Sequence, residues 1–408
     1  MQNVIDTLVE RGFVQQVSDE SELRHVVERP ITLYCGYDPS ASSFTVGNLV
    51  TIMMLAHFQR HGHRPIAIVG GGTGMIGDPS GKTSQRPIMA PETIQFNLEG
   101  QRSQLSRYLD FEEGHALILN NAEWLLPLHY IEFLRDIGRH FSVNQMLATE
   151  AYKTRMETGL SFIEFNYMLL QAYDFLHLFQ THACVLQVGG SDQWANCLAG
   201  ADLIRRVLGA QAHVLVAPLI TTASGEKMGK SEAGSIWLDA QRTPPYDFYQ
   251  FWINVDDRDV ERFLALFTFL PMDQVRELAR LAGAEIRAAK ETLALEATTL
   301  THGKEAAEQA RAASRALFAG AEETAEAAPS TQIARDQFRA GMPLVELLVE
   351  TGLAGSRGAA RKLIVQGGAY VNGERIDAAD RVIGEEDLDN DVILLRAGKK
   401  RHHRVLVQ

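Results

Sequence analysis

The strongest constraint on the fold is an alternation of short apolar segments with longer helical ones in the first half of the chain. An apolar run at 31–37 ends in a proline-containing turn, and a helix is predicted from about 47 to 61. A second apolar run at 64–70 leads into a glycine-rich stretch, and further strands are predicted at 183–190 and 214–221. Strands that alternate with helices favour parallel βαβ units, so we expect an α/β domain built on a parallel sheet over residues 1–222.

The composition changes after about residue 256. Alanine, leucine, arginine and glutamate dominate to about 318 and glycine becomes rare, which predicts helices. An alanine- and glutamate-rich stretch then ends in Pro329, which is typical of a linker. We therefore predict a lysine-containing loop and helical domain over 223–325, a linker over 326–340, and a small α+β domain over 341–408.

Composition excludes several classes of protein. The 408 residues are 46% hydrophobic, enough for more than one packed domain. We find no run of about 18 apolar residues and no secretory signal, so we expect neither membrane contact nor export. The three cysteines are not closely spaced, which fits a reducing cytoplasm and predicts no structural metal site.

The charge is unevenly distributed. The net charge is −12, but residues 341–408 carry ten Lys or Arg and ten Asp or Glu, so that segment is neutral. Its positive residues cluster, first at Arg357, Arg361 and Lys362 and again between 396 and 404. Clustered positive charge is typical of a phosphate-binding face, even in an acidic protein.

Two polar segments follow the first predicted strands. The stretch 70–83 suggests a P-loop, but Ile76 occupies a position that requires glycine, so we reject that motif. Asp78 could still meet a ligand amine there, and a tight turn without a ligand is the alternative. Ser40, Thr45 and Asn48 lie near a predicted helix start, which favours phosphate binding, although simple helix capping would use the same residue types.

The segment 162–179 is predicted to be a buried helix, because it is apolar nearly all round. Tyr167, Gln171 and Asp174 nevertheless fall on one face of it. Buried polar groups need partners, so this stripe either holds a polar ligand or joins an internal network with Tyr173.

Two later segments could contact a nucleotide. Asp192 lies in 189–194, directly after a predicted strand, where a carboxylate could bind ribose hydroxyls; an Asx turn is the alternative. Lys227 and Lys230 lie in a glycine-flanked loop at 227–231 that could close over a triphosphate. Two solvated surface lysines are the alternative.

Five of these segments, in this order, resemble bacterial tyrosyl-tRNA synthetases, which are class I aminoacyl-tRNA synthetases: 34–39, 77–80, 167–174, 189–194 and 227–231. The resemblance covers nearly the whole chain. It implies a Rossmann-like catalytic domain, a helical domain that helps to recognise the anticodon, and an S-four-type RNA-binding domain. It also implies a homodimer that uses L-tyrosine, tRNA(Tyr) and ATP with Mg²⁺, and that has no tightly bound metal or organic cofactor.

The resemblance also implies residue roles. Tyr34 and Asp174 would hydrogen-bond the substrate phenol. The ammonium group would be held by Asp78, Tyr167 and Gln171. Gln193 would lie near the substrate carboxylate and the α-phosphate. Residues implied to bind ATP are Gly36, Asp38, Gly47, Asn48, Asp192 and Lys230. Residues implied to assist catalysis are Ser40, Thr45, Asn48, Lys82, Arg86, Lys227 and Lys230, and those implied to bind RNA are Arg357, Arg361 and Lys362.

The chain departs from the family pattern at the predicted phosphate-binding helix start. Residues 45–48 read Thr-Val-Gly-Asn where the family usually has His-Ile-Gly-His, and Gly229 replaces a usual serine. The missing histidines motivate an alternative, an RNA-binding paralogue that has lost amino-acid activation. A tryptophan-specific enzyme and a nucleotidyltransferase without RNA are further alternatives, which the phenol-binding pair and the basic C-terminal cluster disfavour.

Overall fold

A computed structural model describes residues 3–80, 89–223, 225, 228–231, 234–319, 329–335, 338, 341–388, 391–398 and 401–407. The first part of the chain forms a six-stranded sheet. Its strands are β1 (Gln16–Val17), β2 (Thr32–Tyr37), β3 (Arg64–Val69), β4 (Leu117–Asn120), β5 (Cys184–Gly190) and β6 (His213–Ala217). They lie in the order β1-β6-β5-β2-β3-β4, and every pair is parallel except β1 with β6. The predicted parallel sheet is confirmed.

Eleven helices connect or flank these strands in the described part of this region. They are α1 (Val4–Arg11), α2 (Glu20–Val26), α3 (Leu49–Arg60), α4 (Pro91–Leu105), α5 (Ala122–Leu125), α6 (Tyr130–Asp136), α7 (Val143–Leu147), α8 (Glu150–Thr158), α9 (Phe162–Phe165), α10 (Tyr167–His182) and α11 (Trp194–Leu208). The single buried helix predicted over 162–179 is wrong in one respect. The chain breaks at Asn166 into α9 and α10, and Phe162 on α9 is 70% exposed.

The order of the strands fixes the place of the site. From β2 the chain moves outward through β3 to β4, and it later returns to the other side of β2 through β5 and β6. Two adjacent strands whose connections run in opposite directions leave a crevice at their carboxyl ends. That crevice lies beyond β2 and β5, where the chain places 38–40 and 190–193.

A helical region follows the sheet. A two-stranded hairpin, β7 (Lys230–Ser231) and β8 (Gly234–Ser235), precedes α12 (Pro245–Ile253), α13 (Val260–Phe267), α14 (Met272–Ala279), α15 (Ile286–His302) and α16 (Lys304–Ala319). Its buried side chains, such as Trp252 and Phe263, belong to the same hydrophobic cluster as Phe58 of α3. The guanidinium of Arg11 also donates to the carbonyl oxygens of Ala265 and Thr268, at 2.9 and 3.0 Å. The helical region therefore packs directly on the sheet domain.

The last part of the chain has its own hydrophobic core. It contains β9 (Ser330–Ile333), β10 (Met342–Pro343), α17 (Leu344–Glu350), α18 (Arg357–Val365), β11 (Ala369–Val371), β12 (Glu374–Ile376), β13 (Val382–Ile383), β14 (Val392–Ala397) and β15 (Arg401–Val407). Five strands form a sheet in the order β12-β11-β14-β15-β9, and β10 pairs with β13.

The predicted linker at 326–340 therefore needs a correction. Its residues 330–333 form the edge strand β9, which pairs in parallel with β15. The strand was missed because four residues are too few to show an alternating pattern. The sheet of the small α+β domain therefore includes a strand that lies before residue 341.

Two further observations concern the cysteines and the length of the helices. All three cysteines are buried, free thiols. Within the described residues, no helix combines the length and the hydropathy that a membrane span requires.

Candidate active site

A cavity of about 630 Å³ opens at the carboxyl ends of β2 and β5. Its lining includes side chains from β2, α3, α10 and the turn after β5, together with the segment 219–221 and Met228. Most of the residues singled out in the sequence meet here: Tyr34, Gly36, Asp38, Ser40, Thr45, Gly47, Asn48, Asp78, Tyr167, Gln171, Asp174, Asp192 and Gln193. These separate segments of the chain therefore line one cavity.

One end of the cavity is lined by two buried polar residues, Tyr34 and Asp174. The Asp174 carboxylate accepts hydrogen bonds from Trp124 Nε1 at 2.7 Å and from Asn121 Nδ2 at 3.0 Å. Burial nevertheless raises the pKa of Asp174 to about 7. The Tyr34 hydroxyl is buried and has no hydrogen-bond partner among the described residues. A ligand hydroxyl at this end would supply the missing partner.

Asp78 lies at a second polar position in the cavity. It accepts from Gln193 Nε2 at 2.7 Å and from the Ser80 amide at 2.9 Å, while Asn196 Nδ2 lies 3.5 Å away. Burial raises the pKa of Asp78 to about 6, although the hydrogen bond from the Ser80 amide opposes that shift. A cationic ligand group beside Asp78 would lower this pKa and would stabilise the ionised carboxylate.

Asp38 directly follows β2 and links that strand to Tyr167 of α10. It accepts from the Tyr167 hydroxyl at 3.0 Å and from Thr73 Oγ1 at 2.8 Å. The chain approaches Asp38 closely at Gly70, where an added Cβ would lie 2.4 Å from Asp38 Oδ1. Glycine is therefore required in this turn for packing, and the turn holds Asp38 in place.

Thr45 and Asn48 bond to each other in the short turn that precedes α3. Asn48 Oδ1 accepts from the Thr45 amide at 2.9 Å and from Thr45 Oγ1 at 3.1 Å. These bonds cap the short 3₁₀ turn Val46–Asn48 that precedes α3, whereas Asn48 makes no side-chain cap bond to α3 itself. Both side chains also line the cavity. A carboxamide nitrogen carries two N–H donors, and this cap uses none of those of Asn48.

The lysine loop contacts this helix start through its backbone. Gly229 has a φ of 82°, and a Cβ there would lie 3.2 Å from the Gly47 amide nitrogen. Its carbonyl oxygen accepts from the Ile236 amide at 2.8 Å, and the Met228 amide donates to Ile220 at 3.0 Å. The glycine that departs from the family pattern thus permits close packing of the loop on α3.

The structure does not describe the cationic side chains that were predicted to contact the phosphates. Lys227, Lys82 and Arg86 lie outside the described residues. Lys230 forms a β-bridge with Ser235 through its backbone, and its side chain lies outside the description.

Four polar residues of the site were not predicted from the sequence. Asn121, between β4 and α5, and Trp124, in α5, contact Asp174, and Asn196 contacts Ser80 at 3.2 Å from α11. Gln187 is buried in the middle of β5, and its Oε1 has no partner within the described part of the chain. Only Gln187 carried a clear signal, as a polar residue inside an apolar strand.

The predicted RNA-binding residues lie apart from this cavity, on α18. Arg357, Arg361 and Lys362 are exposed. Arg357 forms an ion pair with Glu346 at 2.8 Å, so part of its charge is already neutralised. The other two side chains remain candidate phosphate contacts.

Comparison with known proteins agrees with this geometry. The family model described as tRNA synthetases class I (W and Y) matches residues 27–319, and that of the tyrosine–tRNA ligase C-terminal domain matches 321–405. The tyrosine–tRNA ligase of Desulfosudis oleivorans is 54% identical over 429 residues, covering 100% of this chain and 99% of the relative. That of Caldanaerobacter subterraneus is 51% identical, covering 100% of both.

Solved structures show the same relationship. A C-terminally truncated mitochondrial tyrosyl-tRNA synthetase from Aspergillus nidulans superposes with a TM-score of 0.70 at 30% identity. The match covers 78% of this chain and 95% of that one. The chain therefore belongs to the tyrosyl-tRNA synthetase family of class I aminoacyl-tRNA synthetases.

Proposed function

We propose that this protein activates L-tyrosine with ATP and transfers the tyrosyl group to tRNA(Tyr). The observation that carries the proposal is the buried phenol-sized end of the cavity, where the unpartnered Tyr34 hydroxyl lies with the Asp174 carboxylate. The substrate phenol would donate to Asp174 and accept from Tyr34. Phenylalanine would leave the Tyr34 hydroxyl without a partner and would deprive Asp174 of the third donor, at a cost of roughly 1–3 kcal/mol for each lost hydrogen bond.

The other polar groups define the orientation of the amino acid. The substrate ammonium would bind Asp78, Tyr167 and Gln171, which line the same cavity. Gln193 already donates to Asp78 at 2.7 Å, so the substrate carboxylate would lie beside its amide. In this direction the carboxylate would point toward the start of α3, where the Asn48 carboxamide could donate to a phosphate.

ATP would occupy the open side of the cavity. Its ribose would contact Asp192, and Gly36, Asp38, Gly47 and Asn48 would border the nucleotide. Magnesium would enter with ATP, because Mg²⁺ is usually held by substrate phosphates with few protein ligands.

The first step needs no covalent enzyme intermediate. A carboxylate oxygen of tyrosine attacks the α-phosphorus in line, and the bond from that phosphorus to the β-phosphate oxygen breaks. Tyrosyl-adenylate forms and pyrophosphate leaves with the electron pair. Positioning by Asp78 and Asp174, and positive charge near the leaving group, would lower the barrier.

The positive charge is proposed to come from the lysine loop. Lys227 and Lys230 would stabilise pyrophosphate, with Lys82 and Arg86 assisting. Thr45 and Asn48 carry no charge, so they can only donate hydrogen bonds, as Ser40 could. The docking of Met228 and Gly229 on the start of α3 supports this arrangement.

In the second step a ribose hydroxyl of the terminal adenosine attacks the tyrosyl carbonyl, and AMP leaves. The helical region and the C-terminal domain would position the tRNA. Arg357, Arg361 and Lys362 on α18 would contact its phosphates, since all three are exposed cations.

We also propose a homodimer that works in the cytoplasm. Six large apolar side chains between 126 and 162 are more than half exposed: Leu126, Tyr130, Ile131, Val143, Met156 and Phe162. All six lie in one stretch of the chain, and a protein interface would bury them if they form one continuous patch. Sedimentation should show a dimer, and Phe162→Asp should shift it toward monomer; a monomeric wild type would contradict this assignment.

Tyrosine-dependent exchange of pyrophosphate into ATP tests the activity directly. The expected result is exchange with L-tyrosine and at least about 30-fold less with L-phenylalanine at equal concentration, from the two lost hydrogen bonds described above. Absence of exchange, with RNA binding retained, would support a paralogue that has lost activation.

A further inference from the structure

The C-terminal sheet aligns four polar side chains in one row across four strands. Tyr370 of β11 lies opposite Arg375 of β12 on one side and opposite Arg396 of β14 on the other. Arg396 in turn lies opposite His402 of β15. Residues directly opposite each other in antiparallel strands project from the same face of the sheet. We call Arg375, Tyr370, Arg396 and His402 the arginine–aromatic row.

The row lies on the face of the sheet that the helices leave uncovered. Its neighbours along the strands, Leu395 and Ala397, are buried in one cluster with residues of α17 and α18. Side chains alternate along a strand, so the row projects to the opposite side. Arg375 is exposed, and the other three members are half-buried.

The chemistry of the row is cationic and planar. The Arg396 guanidinium lies over the Tyr370 ring, 3.6 Å from its centroid. Arg396 Nε and His402 Nδ1 have no hydrogen-bond partner among the described residues. The strand positions on this face include no aspartate or glutamate within the described registers, although the whole chain carries a charge of −12.

We propose that the arginine–aromatic row is a second RNA-binding face of the C-terminal domain, in addition to α18. Unpaired bases would stack on the Tyr370–Arg396 pair, and neighbouring phosphates would contact Arg375. Aromatic rings and guanidinium planes are the groups on which proteins stack single-stranded bases. The inference rests on the proposed function, since it takes tRNA as the ligand.

Burial, followed by the Arg396 charge, lowers the pKa of His402 to about 4. The imidazole is therefore neutral near pH 7, and it would contribute a hydrogen bond or ring contact rather than a charge. The positive charge of the row comes from the two arginines.

The matched variants Tyr370→Ala and Tyr370→Phe test the stacking role in the full-length protein. Binding of a tRNA(Tyr) transcript is measured at several salt concentrations. Loss of one stacked base corresponds to a roughly 10-fold weaker Kd for Tyr370→Ala, within a range of about 5- to 150-fold, with an unchanged salt slope. Tyr370→Phe keeps the ring and should bind within about 2-fold of wild type.

Arg375→Gln tests the phosphate role. Its exposed side chain can change without disturbing the core, and removal of one phosphate contact should reduce the slope of log K against log salt by about 0.7–0.9. Tyrosine-dependent pyrophosphate exchange should be unchanged in all three variants, because that reaction needs no RNA. Exchange and the thermal melting curve together report whether each variant is folded.

Two results would overturn the proposal. One is wild-type tRNA binding by Tyr370→Ala at every salt concentration. The other is an equal loss for Tyr370→Ala and Tyr370→Phe, which would assign the effect to the hydroxyl instead of the ring. A failure of the proposed function is distinguishable, since it would show as absent exchange in the wild type.

Discussion

Replacing Asp174 by asparagine separates recognition of the phenol from the rest of catalysis. Trp124 Nε1 and Asn121 Nδ2 donate hydrogen bonds to its two carboxylate oxygens, at 2.7 and 3.0 Å. An amide offers a single acceptor oxygen, and its nitrogen is a donor. Asp174→Asn therefore sets an N–H group against one of the two donors, and it also removes the charge that would accept from the phenol.

The size of the effect follows from the lost bond. A hydrogen bond to a charged group contributes about 1.5–3 kcal/mol, so kcat/KM for tyrosine should fall by roughly 10- to 150-fold. Phenylalanine cannot make this bond in the wild type or in the variant. Its kcat/KM should change by less than about 3-fold, so discrimination between the two amino acids should fall at least about 3-fold.

Pyrophosphate exchange with tyrosine and with phenylalanine measures both constants. Trp124→Phe is a graded control, because it removes one donor to Asp174 and keeps a ring against His177, whose centroid lies 4.5 Å from that of Trp124. It should lower discrimination in the same direction by less. An equal loss of kcat/KM for both amino acids in Asp174→Asn would refute this account of specificity.

Three further predictions concern stability and the lysine loop. Burial raises the pKa of Asp174 to about 7, so between about pH 4 and pH 7 the folded protein holds a proton that the unfolded chain has lost. The free energy of unfolding therefore falls as the pH rises through this window. The Tm of Asp174→Asn relative to that of the wild type should increase from pH 5 to pH 8. Gly229→Ala places a Cβ 3.2 Å from the Gly47 amide at positive φ, so stopped-flow adenylate formation should slow roughly 10-fold with unchanged tyrosine affinity. Asp259→Ala removes the acceptor, at 2.7 Å, of the Ala223 amide at the base of the loop, so limited proteolysis after 223 should become faster.

The sequence was sufficient for features with a strong local pattern. The apolar runs predicted β2, β3 and β5, because buried parallel strands have few polar residues. The helical spacing of Tyr167, Gln171 and Asp174 predicted the polar stripe that lines the cavity. These signals come from neighbouring residues in the chain, so they can be read without the tertiary structure.

Features that depend on distant residues could not be predicted. Trp124 and Asn121 reach Asp174 from about 50 residues away in the chain, and they lie in and just before the four-residue helix α5, which has no motif. The pairing of Ser330–Ile333 with β15 is also a long-range contact. The register that aligns Tyr370 with Arg396 is a property of the sheet, which spacing alone does not determine.

The helix start shows how one pattern can serve two purposes. Thr45 and Asn48 were open to capping or to phosphate binding, and the structure shows a cap inside the cavity wall. The cap uses the oxygen of Asn48, so that residue can still donate to a phosphate. The loss of two histidines therefore does not by itself exclude activation.

A crystal structure with a non-hydrolysable tyrosyl-adenylate analogue is the most direct test of the central claim, that one cavity binds both tyrosine and ATP. We expect the phenol oxygen of the analogue to lie within hydrogen-bonding distance of Tyr34 Oη and Asp174. We also expect the ammonium to lie beside Asp78 and the ribose beside Asp192. A ligand with its phenol in another position, or with its ribose away from the start of α3, would contradict the claim.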